Sequence, residues 1–193
     1  MTVPELIEHT PGDAAEARDL ERIRGFVQRH TSPFDRRIAE GHLTASALVL
    51  AADGAAVLLL HHVKLERWLQ PGGHAEADES DGAQIALREA REETGIEKLW
   101  LHPEAPRPLD VDVHEIPARS EEPAHLHLDL RYLVLAPTGA RIVRAEAEAR
   151  DVRWFMWDEL AALELDSGLM RALRKARALA DLRGRASEPH DEA

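Results

Sequence analysis

Apolar residues recur along this chain with two different periods, and the switches between them mark out its elements. Over residues 13–29, Ala17, Leu20, Ile23 and Val27 recur at three- and four-residue steps, which predicts an amphipathic helix. His30 to Arg36 contains Thr, Ser and Pro and reads as a connection. Leu43 to Ala51 and Val57 to Leu60 are short apolar runs around Asp53-Gly54, the pattern of a β-hairpin. Trp68-Leu69 then precedes Pro71-Gly72-Gly73, a backbone that cannot continue a regular element. Residues 82–94 return to helical spacing, with Ala83, Ala86, Leu87 and Ala90 on one stripe. Asp81 and Gln84 have capping-box spacing in front of that helix, and Gly95 stands where a C-terminal cap belongs.

Residues 125–135 alternate with period two. Leu126, Leu128, Leu130, Tyr132 and Val134 face one way, and His125, His127, Asp129 and Arg131 the other. A short strand is predicted at Val152 to Phe155, a helix beginning near Asp158, and another helix from Asp166 to Arg183. Gly184 to Ala193 reads as a loose tail. Interleaved strands and helices predict an α/β layered fold, and the hairpin argues against a purely parallel sheet.

Composition narrows the function. A length of 193 residues suits one domain with a helical extension. No 18-residue apolar run is present, so no membrane span is expected, and Met1 to Thr10 lacks the apolar stretch of a secretory signal. With no Cys there is no disulfide frame, no thiolate zinc site and no Cys nucleophile, and a cytoplasmic location is expected. The net charge of −12 argues against a general nucleic-acid or anionic-membrane binder, whose affinity comes from basic patches. It leaves open a protein that holds divalent cations.

The acidity is concentrated. Residues 73–96 carry seven acids (Glu76, Asp78, Glu79, Asp81, Glu89, Glu92, Glu93) against Arg88 and Arg91. Glu89, Glu92 and Glu93 stand at i, i+3 and i+4, within about a 100° arc of the predicted helix. Carboxylates so placed repel one another by ~0.2–0.5 kcal/mol per pair on an exposed helix. They form either a solvated acidic face or a site for a hard cation such as Mg²⁺, which takes oxygen ligands and bridges carboxylates to phosphates.

This stretch resembles the Nudix box, the signature of the Nudix hydrolases: G, five residues, E, seven residues, then R-E-U-x-E-E-x-G-U with U aliphatic. The second half matches without a gap at Arg88, Glu89, Ala90, Glu92, Glu93, Gly95 and Ile96, with Ala90 a small stand-in for the bulkier aliphatic. The first half matches at Gly73 and Glu79, but eight residues separate Glu79 from Arg88. The extra residue is expected in the turn around Ser80 to Gly82, which puts the role of Glu79 in question and leaves the helical face intact. The resemblance extends more loosely over residues 43–163, including Trp68 to His74 (WLQPGGH) and Val152-Arg153-Trp154.

The resemblance implies a Nudix fold, an α/β/α sandwich with a mixed β-sheet, to which this chain adds an N-terminal and a C-terminal helix. The expected division is an N-terminal helical extension over 1–36, the Nudix hydrolase domain over 37–165, a packed C-terminal helix over 166–183 and the tail over 184–193. The implied reaction is hydrolysis of the diphosphate linkage of a nucleoside diphosphate joined to a group X, with Mg²⁺ or Mn²⁺ as cofactor. By position in the motif, Glu89, Glu92, Glu93 and the carbonyl of Gly72 would be metal ligands. Glu92, Glu93 and Arg88 would be the catalytic set, with Arg88 orienting a glutamate, unless it is an ordinary i,i+4 partner of Glu92. The general base would be a box glutamate or a later acid, Glu146 or Glu148, whose alternative is a solvated loop.

Other residues carry weaker expectations. His74, His125, His127 and Arg131 are candidates for substrate binding, against the alternatives of a loop residue and an exposed sheet face, which Asp129 would share. His61, His62 and Lys64 would meet a phosphate or nothing. Trp68 would stack on a base or pack in the core, and Trp154, Phe155 and Trp157 read as core. The expected partner is a small nucleoside diphosphate derivative, with no membrane, with nucleic acid disfavoured, and with a homodimer in prospect because many relatives are dimers. A decapping role would need a basic groove, for which Arg171, Arg174, Lys175 and Arg177 on the last helix are the best support against a solvated face. Two rival readings are a non-catalytic nucleotide-binding module, disfavoured because the box acids remain, and an isopentenyl-diphosphate isomerase, disfavoured because the chain has no Cys. Loops 103–108 and 116–124 are the candidate specificity loops.

Overall fold

The structure is a computed structural model and describes residues 8–118, 123–143, 145 and 149–186. Among the described residues, three α-helices, α1 (Ala14–Arg29), α2 (Gly82–Thr94) and α3 (Ser167–Ala186), accompany eight strands. The strands are β1 (Gly41–Ala51), β2 (Ala56–His62), β3 (Trp68–Leu69), β4 (Gly72–Gly73), β5 (Trp100–Leu101), β6 (Asp110–Ile116), β7 (His125–Ala136) and β8 (Ala149–Met156). No described helix is long and apolar enough to cross a membrane.

The sheet is mixed around one long parallel pair. All of β1 runs beside β7, from Gly41 against Leu126 to Ala51 against Ala136. Every other pairing among the described strands is antiparallel. The first half of β1 meets β4, at Ala45 with Gly73 and Ser46 with Gly72, and its second half meets β2 in the expected hairpin. β7 is divided in the same way, with β6 along its first half and β5 along its second. The central pair is therefore flanked on both sides and buries both of its faces.

The two faces differ. On one, Leu43, Ala45, Ala47 and Val49 of β1 join Leu128, Leu130, Tyr132 and Val134 of β7 beneath Leu20, Ile23, Phe26 and Val27 of α1 and Ile85, Ala86 and Ala90 of α2. On the other, Leu48, Leu50, Leu133 and Leu135 pack against Leu169, Ala172, Leu173 and Ala176 of α3. Each buried Leu contributes roughly 1.5–3 kcal/mol through area removed from water. The apolar cover on the second face ends halfway along the strands. Below it the same faces of β1, β7 and β6 are polar: His42, Thr44 and Ser46; His127, Asp129 and Arg131; Asp110, Asp112 and His114.

Several expectations shift in detail. The helix foreseen near Asp158 is a single 3-10 turn, Glu159–Ala162, and the strand foreseen at 152–155 is the longer β8. The last helix begins at Ser167, where the Asp166 carboxylate accepts from the Leu169 amide at 2.8 Å. Phe155 is buried, whereas Trp154 and Trp157 are partly buried on opposite cores.

The ends of α2 follow the sequence signals. The Asp81 carboxylate accepts from the amides of Ala83 and Gln84, and Gly95 closes the helix with φ +67°. A Cβ at Gly95 would lie 2.6 Å from Cβ of Val143. Gly95→Ala should therefore cost about 1–3 kcal/mol, read as a lowered denaturant midpoint. An unchanged midpoint would mean that this cap carries no strain.

Candidate active site

Helix α2 presents the box acids at graded depths, because successive helical positions rotate from solvent towards the sheet. Glu93 is 4 % exposed, and its Oε2 accepts from the amide of Gly72 at 2.8 Å. The Glu89 side chain is mostly covered and lies against Gly73, where a Cβ would come within 2.6 Å of its carboxyl carbon. Glu92 faces solvent, with its side chain 55 % exposed. The Gly72-Gly73 backbone is brought here by its pairing with Ala45 and Ser46 of β1. A side chain at Gly72 would strike Ser46 Cβ at 2.4 Å, so the close approach of β4 to β1 requires glycine.

Arg88 sits among these groups. Its Nε and Nη2 donate to the two oxygens of Glu79 at 3.1 and 2.9 Å. Nη1 donates to Glu89 at 3.1 Å and to Glu92 at 2.9 Å, and Nη2 also reaches the carbonyl of His74 at 2.7 Å. The bonds from Arg88 hold the Glu79 carboxyl below its ordinary value, and the same bonds hold the Arg88 proton more tightly than usual. Arg88 is thus far more than an i,i+4 partner of Glu92. Despite the additional residue between Glu79 and Arg88, Glu79 still reaches Arg88 from the loop that precedes α2.

The box carboxylates are all oxygen donors beside a glycine backbone, which suits a hard cation. They are not yet gathered at ligand distance: Arg88 takes Glu89 and Glu92, and the Gly72 amide takes Glu93. Among the described residues, the ligating atoms that do come together belong to His42, His125 and His127, within 4.8 Å of one another.

The four substrate candidates lie in two environments. His74, His125 and His127 belong to a cluster of imidazoles completed by His42 and His114. Burial, then the charges of Arg36 and neighbouring histidines, pushes His74 down to about 3. Burial and the other rings push His127 down to about 2, so both are neutral imidazoles at pH 7. Arg131 is 3 % exposed and is ion-paired to Asp110, Asp112 and Asp129. Its guanidinium is committed inside the fold to these three carboxylates. Asp129 likewise accepts from Thr44, Ser46 and Arg131 and is buried, so this is no exposed sheet face.

The remaining candidates have local roles. His62 Nδ1 accepts from the amides of Lys64 and Leu65 and shapes the turn after β2. Trp68 packs edge-on against His61 and Phe155, with Arg153 over its ring. On α3, Arg171 and Lys175 are turned inward to Glu16 and Asp110 and so contribute no basic groove. Glu146 and Glu148 lie outside the described residues, as does 119–122 of the second candidate loop. Sequence reasoning missed His42, because its run was read from Leu43. The signal was present: His42, Thr44 and Ser46 alternate with Leu43, Ala45 and Ala47.

Comparison with known proteins bears on this arrangement. The NUDIX domain profile matches residues 41–176. An Ap4A hydrolase from C. elegans, solved as a binary complex, superposes with a TM-score of 0.56 at 21% identity, covering 74% of this chain and 98% of its own. A NUDIX family hydrolase from Clostridium perfringens gives 0.53 at 23% identity, covering 72% and 97%. The NUDIX domain of NrtR from Shewanella oneidensis, in complex with ADP ribose, gives 0.53 at 16% identity, covering 81% and 97%. At these identities the likeness speaks for the fold alone. No curated protein matches the chain. The profile match spans most of the chain and includes the whole Gly73–Ile96 motif, and the chain belongs to the Nudix hydrolase family.

Proposed function

We propose that this protein hydrolyses the diphosphate linkage of a nucleoside diphosphate-X compound with Mg²⁺ or Mn²⁺ as cofactor. The observation that carries this reading is the joint placement of Glu89, Glu92 and Glu93 around Arg88 and against the Gly72-Gly73 backbone. Glu89, Glu92, Glu93 and the Gly72 carbonyl would hold the cation. When bound, such an ion neutralises the diphosphate and lowers the pKa of a coordinated water.

The chain's own residues do the rest. Arg88 fixes Glu79, Glu89, Glu92 and the His74 carbonyl relative to one another, so the carboxylates are oriented before substrate arrives. Glu93 is locked by the Gly72 amide, which ties α2 to β4. Glu92 has the solvent access to take a proton from the attacking water and is the general base in this reading. The retained acids favour catalysis over a binding module, and the absence of Cys disfavours the isomerase.

The test is a panel of ADP-ribose, dinucleoside polyphosphates, nucleotide sugars and (d)NTPs with Mg²⁺ or Mn²⁺ and identification of products. The first two classes lead the panel because structural neighbours carry those names. No turnover of any member by folded, metal-supplied protein would sink the proposal. Gly73→Ala offers an internal check. Its methyl must displace the Glu89 carboxylate, so activity should fall by at least ~10-fold while the fold persists. Unchanged kcat/KM would mean that the position of Glu89 does not matter.

A further inference from the structure

We propose that His42, His125 and His127 form a second metal site, for a borderline transition cation such as Zn²⁺, separate from the box carboxylates. His42 opens β1, and His125 and His127 open β7 on the same sheet face, since β1 and β7 are parallel and His42 is in register with His127. The three ring centroids are 5.0, 5.2 and 5.2 Å apart, and one nitrogen from each lies within 4.8 Å of the others. Imidazoles on one zinc have Zn–N of about 2.0–2.1 Å.

Two further features point to a ligand rather than to simple stacking. His125 Nδ1 is 3.0 Å from the carbonyl of Pro123. A carbonyl only accepts, so Nδ1 carries the proton and Nε2 keeps its lone pair, which is how protein carbonyls orient metal-binding histidines. His74 Nε2 is 3.1 Å from His127 Nε2, close to the spacing of two nitrogens on one tetrahedral ion. His74 thus ties the loop that follows Gly73 to the cluster through His127. Imidazole donors without carboxylates select Zn²⁺, Co²⁺ or Ni²⁺ over Mg²⁺.

The site would brace β1, β7 and the β4 loop at one point. Through the His74 carbonyl, which accepts from Arg88, it would also steady the backbone beside Glu89. It goes beyond the hydrolase reading and does not depend on it.

The experiment uses the full chain, stripped of metal with a chelator and held in excess Mg²⁺ so that the carboxylates are occupied. Co²⁺ or Zn²⁺ alone is the probe, followed by calorimetry, visible absorption and X-ray absorption. One equivalent should bind, with a shell of three or four imidazole nitrogens at about 2.0–2.1 Å, and Zn²⁺ should raise Tm. His42→Gln and His127→Gln should each weaken binding by more than about 100-fold, and Glu92→Gln should leave it unchanged. An oxygen-only shell in the unaltered protein, binding lost with Glu92→Gln and kept with His127→Gln, or no binding above that of free buffer would overturn the site. The X-ray absorption arm needs no variant, so it decides the matter even if a histidine replacement fails to fold.

Discussion

Glu92→Gln should lower kcat by about 10²–10⁴-fold and leave the melting temperature unchanged. The Glu92 side chain is 55 % exposed, and one of its oxygens meets Arg88 at 2.9 Å. The amide keeps the shape and an oxygen for Arg88, yet it can neither take a proton from water nor lend charge to a cation. Stability should not move, because an exposed i,i+4 pair contributes only about 0.3–0.5 kcal/mol. Glu93→Gln is the informative companion. Glu93 is buried and accepts from the Gly72 amide, so its replacement should lower both activity and melting temperature. The measurement is kcat and KM on the best substrate of the panel, with melting followed by circular dichroism. Full activity in Glu92→Gln at unchanged stability would remove Glu92 from the mechanism.

Asp110→Asn should destabilise the protein by about 3–5 kcal/mol without touching the box. Asp110 is fully buried and meets Arg131 at 3.2 Å, Arg171 at 2.7 Å and Lys175 at 3.2 Å. These residues come from β6, β7 and α3, and Lys175 continues to Glu16 of α1. Removing this carboxylate takes away the charge that Arg131, Arg171 and Lys175 share and leaves Glu16, Asp112 and Asp129 to balance all three. Breaking the exposed Arg150–Glu66 pair by Arg150→Ala should cost less than about 1 kcal/mol and serves as the control.

The same network sets an acid limit. Burial would raise both Glu16 and Asp112. Bonds from His9 and Lys175 outweigh it for Glu16, which stays well below the carboxylate range. A bond from His114 and the charge of Arg131 bring Asp112 down to about 2. Their folded values lie below their unfolded ones, so their stabilisation is complete above pH about 5 and is lost as pH falls towards about 2. Denaturant midpoints should hold from neutral pH to about 5 and then drop. A flat profile down to pH about 2 would show that the network contributes nothing.

The helical face of the site was legible because its order is local. Arg88, Glu89, Glu92 and Glu93 lie within two turns, and a helix places them without help from the rest of the chain. The caps at Asp81 and Gly95 were legible for the same reason. The role of Glu79 was not, since one extra residue upstream leaves its reach undetermined until the loop is built. Arg131 shows the limit of such patterns. Its alternation with leucines correctly placed it on a strand, but period two says only which residues share a face, not what covers that face. The three aspartates around it come from two strands, and α3 closes over them from the end of the chain.

Periodicity, caps and the box spacing were sufficient to specify the α/β class, the hairpin, α2 and the acidic helical face. These are short-range properties, set by backbone propensity and by spacing along a single element. The histidine cluster, the buried ion-pair network and the meeting of Gly72 with Glu93 join residues 20 to more than 150 positions apart. No one-dimensional pattern encodes them, because they depend on which strands lie parallel, in what register, and which helix covers which half of the sheet. The register of β1 against β7 is decisive here: a shift by one residue would turn His42 away from His127 and bury a leucine in its place.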